Sequence, residues 1–220
     1  YHEYDLMERI ISENENLLSD KTLGTVNDRA LLLNNKAMLP VNRNNKLVHS
    51  IGMMNKALSV CDEKSNPVLF TNINMNLGLL YIENNETERG LEFMDKAYLF
   101  IKLTRTYNND FITIARNYAA TLSENSRVTK AIEVLKECEF ATESCCSNNH
   151  AALLYDLGAA YILSGNYLLA VKKYSLAFAE YSALGCSEEL TARKIAAAQQ
   201  MQRYGFEYPK EWETDYLERS

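Results

Sequence analysis

Three prolines and eight glycines are all that punctuate 220 residues. An all-β chain of this length needs many more turn residues, so a mostly helical protein is the favoured class. Long apolar runs are missing too: none approaches the roughly 20 residues of a membrane-spanning helix, and no membrane contact is expected. The opening Tyr1-His2-Glu3-Tyr4-Asp5 lacks the basic-then-apolar pattern of a leader. Cysteines are few, odd in number and irregularly placed: Cys61, Cys138, Cys145, Cys146 and Cys186. That excludes a disulfide framework and points to a reducing, cytoplasmic setting. Positive charge is also short, with 23 Lys and Arg against 29 Asp and Glu for a net −6. Without an overall basic field, direct nucleic-acid binding is not expected. The chain begins at Tyr1 rather than Met, which is expected of a piece of a longer protein. What is present in quantity is apolar side chain, 47% of residues, enough for a sizeable core.

Residues that carry chemistry are sparse. His2, His49 and His150 fall near the N-terminus, on a second helix and in a linker between repeats, with no nucleophile, base and orienter pattern. Neither an enzyme nor a cofactor is expected. Cys138, Cys145, Cys146 and His150 lack the paired C-x2-C knuckle of a specific zinc site, and no metal is expected there. The glycines stand singly rather than in a phosphate-cradling loop. Glu83, Glu86, Glu88 and Glu92 cluster as a solvated face does.

The dominant signal is an internal repeat. Asn76-Leu77-Gly78-Leu79-Leu80-Tyr81 is echoed 80 residues on by Asp156-Leu157-Gly158-Ala159-Ala160-Tyr161, which fits two periods of about 40. Gly90, Met94 and Ala97 follow the first motif as Ala170, Tyr174 and Ala177 follow the second. Between them Tyr118, Ala119, Leu122, Ala131, Leu135 and Cys138 take the matching places; upstream Ala37, Met38, Ser50, Met54 and Ala57 do so more loosely. This alternation resembles the tetratricopeptide repeat, a helix-turn-helix unit in which small residues let two helices approach while large ones fill the adjacent holes. Here the steps of about 40 residues exceed the usual 34.

The resemblance implies an all-α, right-handed superhelix of antiparallel helix pairs. Its expected organisation is one domain over 1–220: a partial N-terminal helix in 1–24, repeats at about 31–70, 71–111, 112–150 and 151–190, and a capping repeat in 191–220. Turns within repeats are expected at Asn45, Asn85, Ser126, Gly165 and Gly205, all but Ser126 being residues that tolerate a left-handed backbone. Leu6, Met7, Ile10, Ile11, Leu17 and Leu18 give one apolar helix face near the start. At the other end Pro209 is expected to open a polar final helix containing Trp212 and Tyr216.

In such a stack the first helices line a concave groove, where relatives hold an extended peptide. The residue before each Leu-Gly position is Lys36, Asn76, Asn117 and Asp156, and neighbouring positions are Asn35, Asn72, Arg116 and Tyr155. Asparagine suits a peptide backbone because it both donates and accepts. Arg116 and Lys36 would favour a carboxylate, Asp156 a basic group. Asparagine is abundant throughout the chain, so bias of composition is the competing explanation for Asn76 and Asn117. A clamp for a C-terminal carboxylate, as in co-chaperones of this family, is matched only in part. Long repeats of this kind resemble those of bacterial peptide-sensing regulators and signalling scaffolds, which implies a peptide- or protein-binding part of a larger regulatory protein. The rival readings are a homo-oligomerising structural element and a small-molecule sensor, for instance of a sugar, in a transcriptional activator.

Overall fold

Short polar side chains start most of the helices by accepting the N–H groups that a first turn leaves free. In the computed structural model, which describes residues 25–39, 47–143 and 147–212 together with Arg9, Thr25 accepts from the Asp28 backbone and Asp28 reaches back, a capping box that opens α1, Val26–Met38. Then follow α2 (Leu47–Val60), α3 (Pro67–Glu83, capped by Asn66), α4 (Thr87–Leu103) and α5 (Asn109–Glu124, capped by Asn108). The rest are α6 (Val128–Ala141), α7 (Asn148–Leu163, capped by Ser147), α8 (Tyr167–Ala183, capped by Asn166), α9 (Ser187–Arg203) and a short 3-10 turn, Lys210–Trp212. No strand occurs among the described residues. First helices thus begin at 26, 67, 109, 148 and 187.

The turns within repeats fall at Asn85, Ser126, Gly165 and Gly205, with φ of 64°, 61°, 76° and 77°. Asn45 lies outside the described residues. One hydrogen bond recurs behind each: Glu86 N–H to Tyr81 C=O, Arg127 to Leu122, Asn166 to Tyr161 and Phe206 to Met201, at 2.8–2.9 Å. This left-handed closure satisfies carbonyls that the helix end would otherwise orphan. Arg105 and Gly185, between repeats, also take positive φ and carry no signal in the repeat pattern.

The chain divides into two compact units between Thr106 and Tyr107. In the first, α1 pairs with α2 and α3 with α4, while α2 and α1 both pack on α3. Gly78 of α3 and Gly90 of α4 meet where a Cβ on either would lie 2.5–2.7 Å from the other's carbonyl oxygen. Met54, Ile73, Leu77, Leu80 and Met94 fill the surrounding core. In the second unit α5 pairs with α6 and α7 with α8; α6 and α5 pack on α7, and α9 packs on both α8 and α7. Here Gly158 faces the ring of Tyr174, itself fully buried.

Two expectations about local structure change. His150 belongs to the first turn of α7 rather than to a linker, because Ser147 accepts its N–H and starts the helix there. Trp212, on the helical turn Lys210–Trp212 that follows Pro209, is a buried core residue rather than one on a polar surface: its ring stands edge-on against Tyr174 and Phe178, at 5.7 and 5.1 Å. Tyr216, the apolar face between Leu6 and Leu18, and the adjacent Cys145 and Cys146 lie outside the described residues. Cys138 is buried in α6 at its small-residue position.

Candidate functional site

Within each unit the first helices touch their neighbours, α1 with α3, α5 with α7 and α7 with α9, so their polar positions come side by side. In the first unit this builds an amide chain. Asn76 Nδ2 donates to Asn34 Oδ1 at 2.9 Å, and Asn34 Nδ2 donates to Asn35 Oδ1 at 3.0 Å. Asn34 is buried, Asn76 and Lys36 are half-buried, and Asn35 and Asn72 are exposed. Asn34 is the residue that sequence reasoning missed. Its only signal was adjacency to Asn35, since the helix rotation that turns it toward Asn76 is not written in the repeat. Asn74, fully buried on α3, donates to the Phe70 carbonyl, while its Oδ1 has no partner among the described residues.

In the second unit Arg116 of α5 donates through Nε to Asp156 Oδ2 of α7 at 2.6 Å, with side chains 22% and 29% exposed. The cation and the anion expected to read a ligand separately are therefore committed to each other. Arg193 of α9 lies over the Tyr155 ring, 4.8 Å from its centroid, and donates through Nε to Glu189 Oε1 at 2.7 Å. Tyr155, expected in the groove, is buried; its ring lies 5.0 Å from that of Tyr174, whose hydroxyl donates to Gln200. Asn117 is exposed. Arg193 and Gln200 were missed because the fifth repeat lacks the Leu-Gly motif and reads only as a cap.

Burial sets the electrostatics. It pushes the Asp156 carboxyl above its usual value, although Arg116 and, less strongly, Arg193 pull the other way. It pushes the Tyr155 hydroxyl up to about 12 against the opposing charge of Arg193, and raises Tyr174 and Tyr181 as well. These phenols stay neutral hydrogen-bonding groups at ordinary pH. Elsewhere His150 Nδ1 lies 2.8 and 3.0 Å from the two carboxylate oxygens of Glu180, with its buried Nε2 unpartnered among the described residues. No group of three His, Cys, Asp or Glu that could hold a metal occurs among the described residues. Nor is any helix there long and apolar enough to cross a membrane.

No family model matches the chain, and no curated protein matches it significantly. Solved structures do. The nearly identical TPR-like repeats of a Podosopora anserina protein described as a kinesin light chain superpose with a TM-score of 0.65 at 15% identity, over 83% of this chain and 90% of that one. A single-residue variant of the same repeats gives 0.62 at 14% identity, over 83% and 86%. At such identity the likeness is one of fold: the chain is an all-helical, TPR-like repeat solenoid.

Proposed function

We propose that this chain is a non-catalytic recognition module that holds an extended peptide or protein segment on its first-helix faces, as the sensor or interaction part of a larger regulatory protein in the cytoplasm. TPR-like repeats generally mediate protein interactions, and that general role is the starting point. The observation that carries the reading further is the inter-helix pairing of polar side chains on those faces, Asn76 to Asn34 to Asn35 in one unit and Arg116 to Asp156 in the other. Amides held in place this way meet a peptide backbone with donors and acceptors already oriented, which reduces the ordering cost of binding. Exposed Asn72 and Asn117 extend the same faces. We take the chain as one domain of the long, roughly 40-residue repeat variety.

The test is a randomised peptide display library offered to the wild type and to Asn76→Ala/Asn117→Ala, with helix content of both confirmed by circular dichroism. Peptides enriched by the wild type and lost by the folded double variant are expected. Enrichment that survives both substitutions overturns the assignment. A second reading, self-assembly, is favoured by Phe140 and Leu168 of the second unit, which are 83% and 77% exposed. It takes over if no peptide is enriched and sedimentation shows mass rising with concentration.

A further inference from the structure

The second helices differ on their outward sides when compared place by place. Counted from the shared small positions Gly90, Ala131 and Ala170, four exposed places hold Glu88, Arg89, Glu92 and Lys96 on α4, and Thr129, Lys130, Glu133 and Glu137 on α6. On α8 the same four, again exposed, are Leu168, Leu169, Lys172 and Leu176. The inner face of α8 already buries Ala170, Tyr174, Ala177 and Phe178. A helix apolar on both sides is one that is covered on both sides, yet Leu168 is 77% and Leu176 42% exposed. Beside it lies α6, tied on by Lys173 of α8 donating to Glu139. The residue after Glu139, Phe140, is 83% exposed. Lys172 and Glu133 occupy the same repeat place on the two helices with opposite charge, and neither is paired among the described residues. Leu176 follows Lys172 by one helical turn and Phe140 follows Glu133 by two.

We propose that two copies of this chain associate about a two-fold axis through these outer faces, α8 of each covering α6 of the other, with Leu176 meeting Phe140 and Lys172 meeting Glu133 in two equivalent contacts. The occupant is a second copy because the surface is self-complementary: α8 offers apolar side chains with a free cation, α6 an apolar side chain with a free anion, and one symmetric contact uses both pairs twice. A partner matched to α8 alone leaves Phe140 and Glu133 uncovered. The charges fix the orientation and the apolar side chains supply the buried area. The inference rests on the self-assembly reading above and names its surface. It leaves the first-helix faces free, so a peptide and a second copy do not compete.

The experiment is sedimentation equilibrium of the full chain over a concentration series, for wild type, Leu176→Glu, Lys172→Glu, Glu133→Lys and the double variant Lys172→Glu/Glu133→Lys, each checked by circular dichroism. The wild-type mass is expected to rise with concentration and to level off at twice that of the chain, because a two-fold contact closes on itself. Leu176→Glu should stay monomeric over the range in which the wild type pairs. Each single charge reversal should weaken association by about tenfold, two like-charged contacts replacing two attractive ones, and the double variant should regain it. A dimer that survives Leu176→Glu, or a double variant no tighter than the single ones, overturns this surface alone. Growth beyond two copies overturns the two-fold arrangement. A wild type that stays monomeric at every concentration overturns the surface and the self-assembly reading together, and gives the outer face of α8 to some other occupant.

Discussion

A single methyl group added at Gly158 should cost stability even though alanine is the better helix former. A Cβ built there would lie 2.6, 2.8 and 2.9 Å from three ring carbons of Tyr174. Ordinary carbon contacts are about 3.5–4.0 Å, so the ring or the helix must retreat by about 1 Å. The ring has little freedom to do so: it is fully buried, packs on Tyr155, Phe178 and Trp212, and is tied through its hydroxyl to Gln200 at 2.6 Å. Overpacking of this kind costs about 1–3 kcal/mol, against about 1 kcal/mol gained from helix propensity. With the ring anchored on every side the upper part of that range applies, for a net loss of about 1–2 kcal/mol. Gly52, in the middle of α2, has nothing within 4 Å of its would-be Cβ, so Gly52→Ala should gain about 1 kcal/mol. Urea denaturation would be followed by circular dichroism and by the fluorescence of Trp212, the only tryptophan and a direct neighbour of Tyr174. If Gly158→Ala unfolds at or above the wild-type midpoint by both signals, the close-packing account of the repeat is wrong.

Two further outcomes are expected. Ser126 takes φ of 61° at a turn where two other repeats have glycine, so Ser126→Gly should raise the melting temperature, by about 1 kcal/mol of stability, with an unchanged helix signal; a lower melting temperature would refute the strain argument. Asp156 has a folded-state pKa above its unfolded value, so its contribution is most favourable below the unfolded pKa and is lost as pH rises through the folded one. Asp156→Asn should therefore be more stable than wild type at neutral pH, with the gap closing as pH falls through the carboxylate range; a gap that widens on acidification would show that the Arg116 pair outweighs burial.

Packing positions were legible from the order of residues alone. A small residue facing a large one every helix pair is a local pattern, and Gly78, Gly90, Met94, Gly158, Tyr174, Ala119, Leu135 and Cys138 all lie in the core where that alternation put them. The turns were legible for the same reason: a left-handed residue is needed at one point per hairpin, and glycine or asparagine marks it at Asn85, Gly165 and Gly205. The polar pairings were not legible. Asn34 meets Asn76 across 42 residues and Arg116 meets Asp156 across 40, pairings between side chains of successive first helices. Short-range periodicity carries no record of which polar side chains meet, because that emerges only when the cores of neighbouring helix pairs have packed. The same holds for Arg193 over Tyr155 and for Trp212 against Tyr174, which lie in the stretch where the repeat motif has faded. Sequence thus determined the repeating scaffold, whose contacts are dictated by residue size at fixed spacing. Tertiary packing decided which charges and amides on that scaffold face each other, and so what is left free to meet a partner.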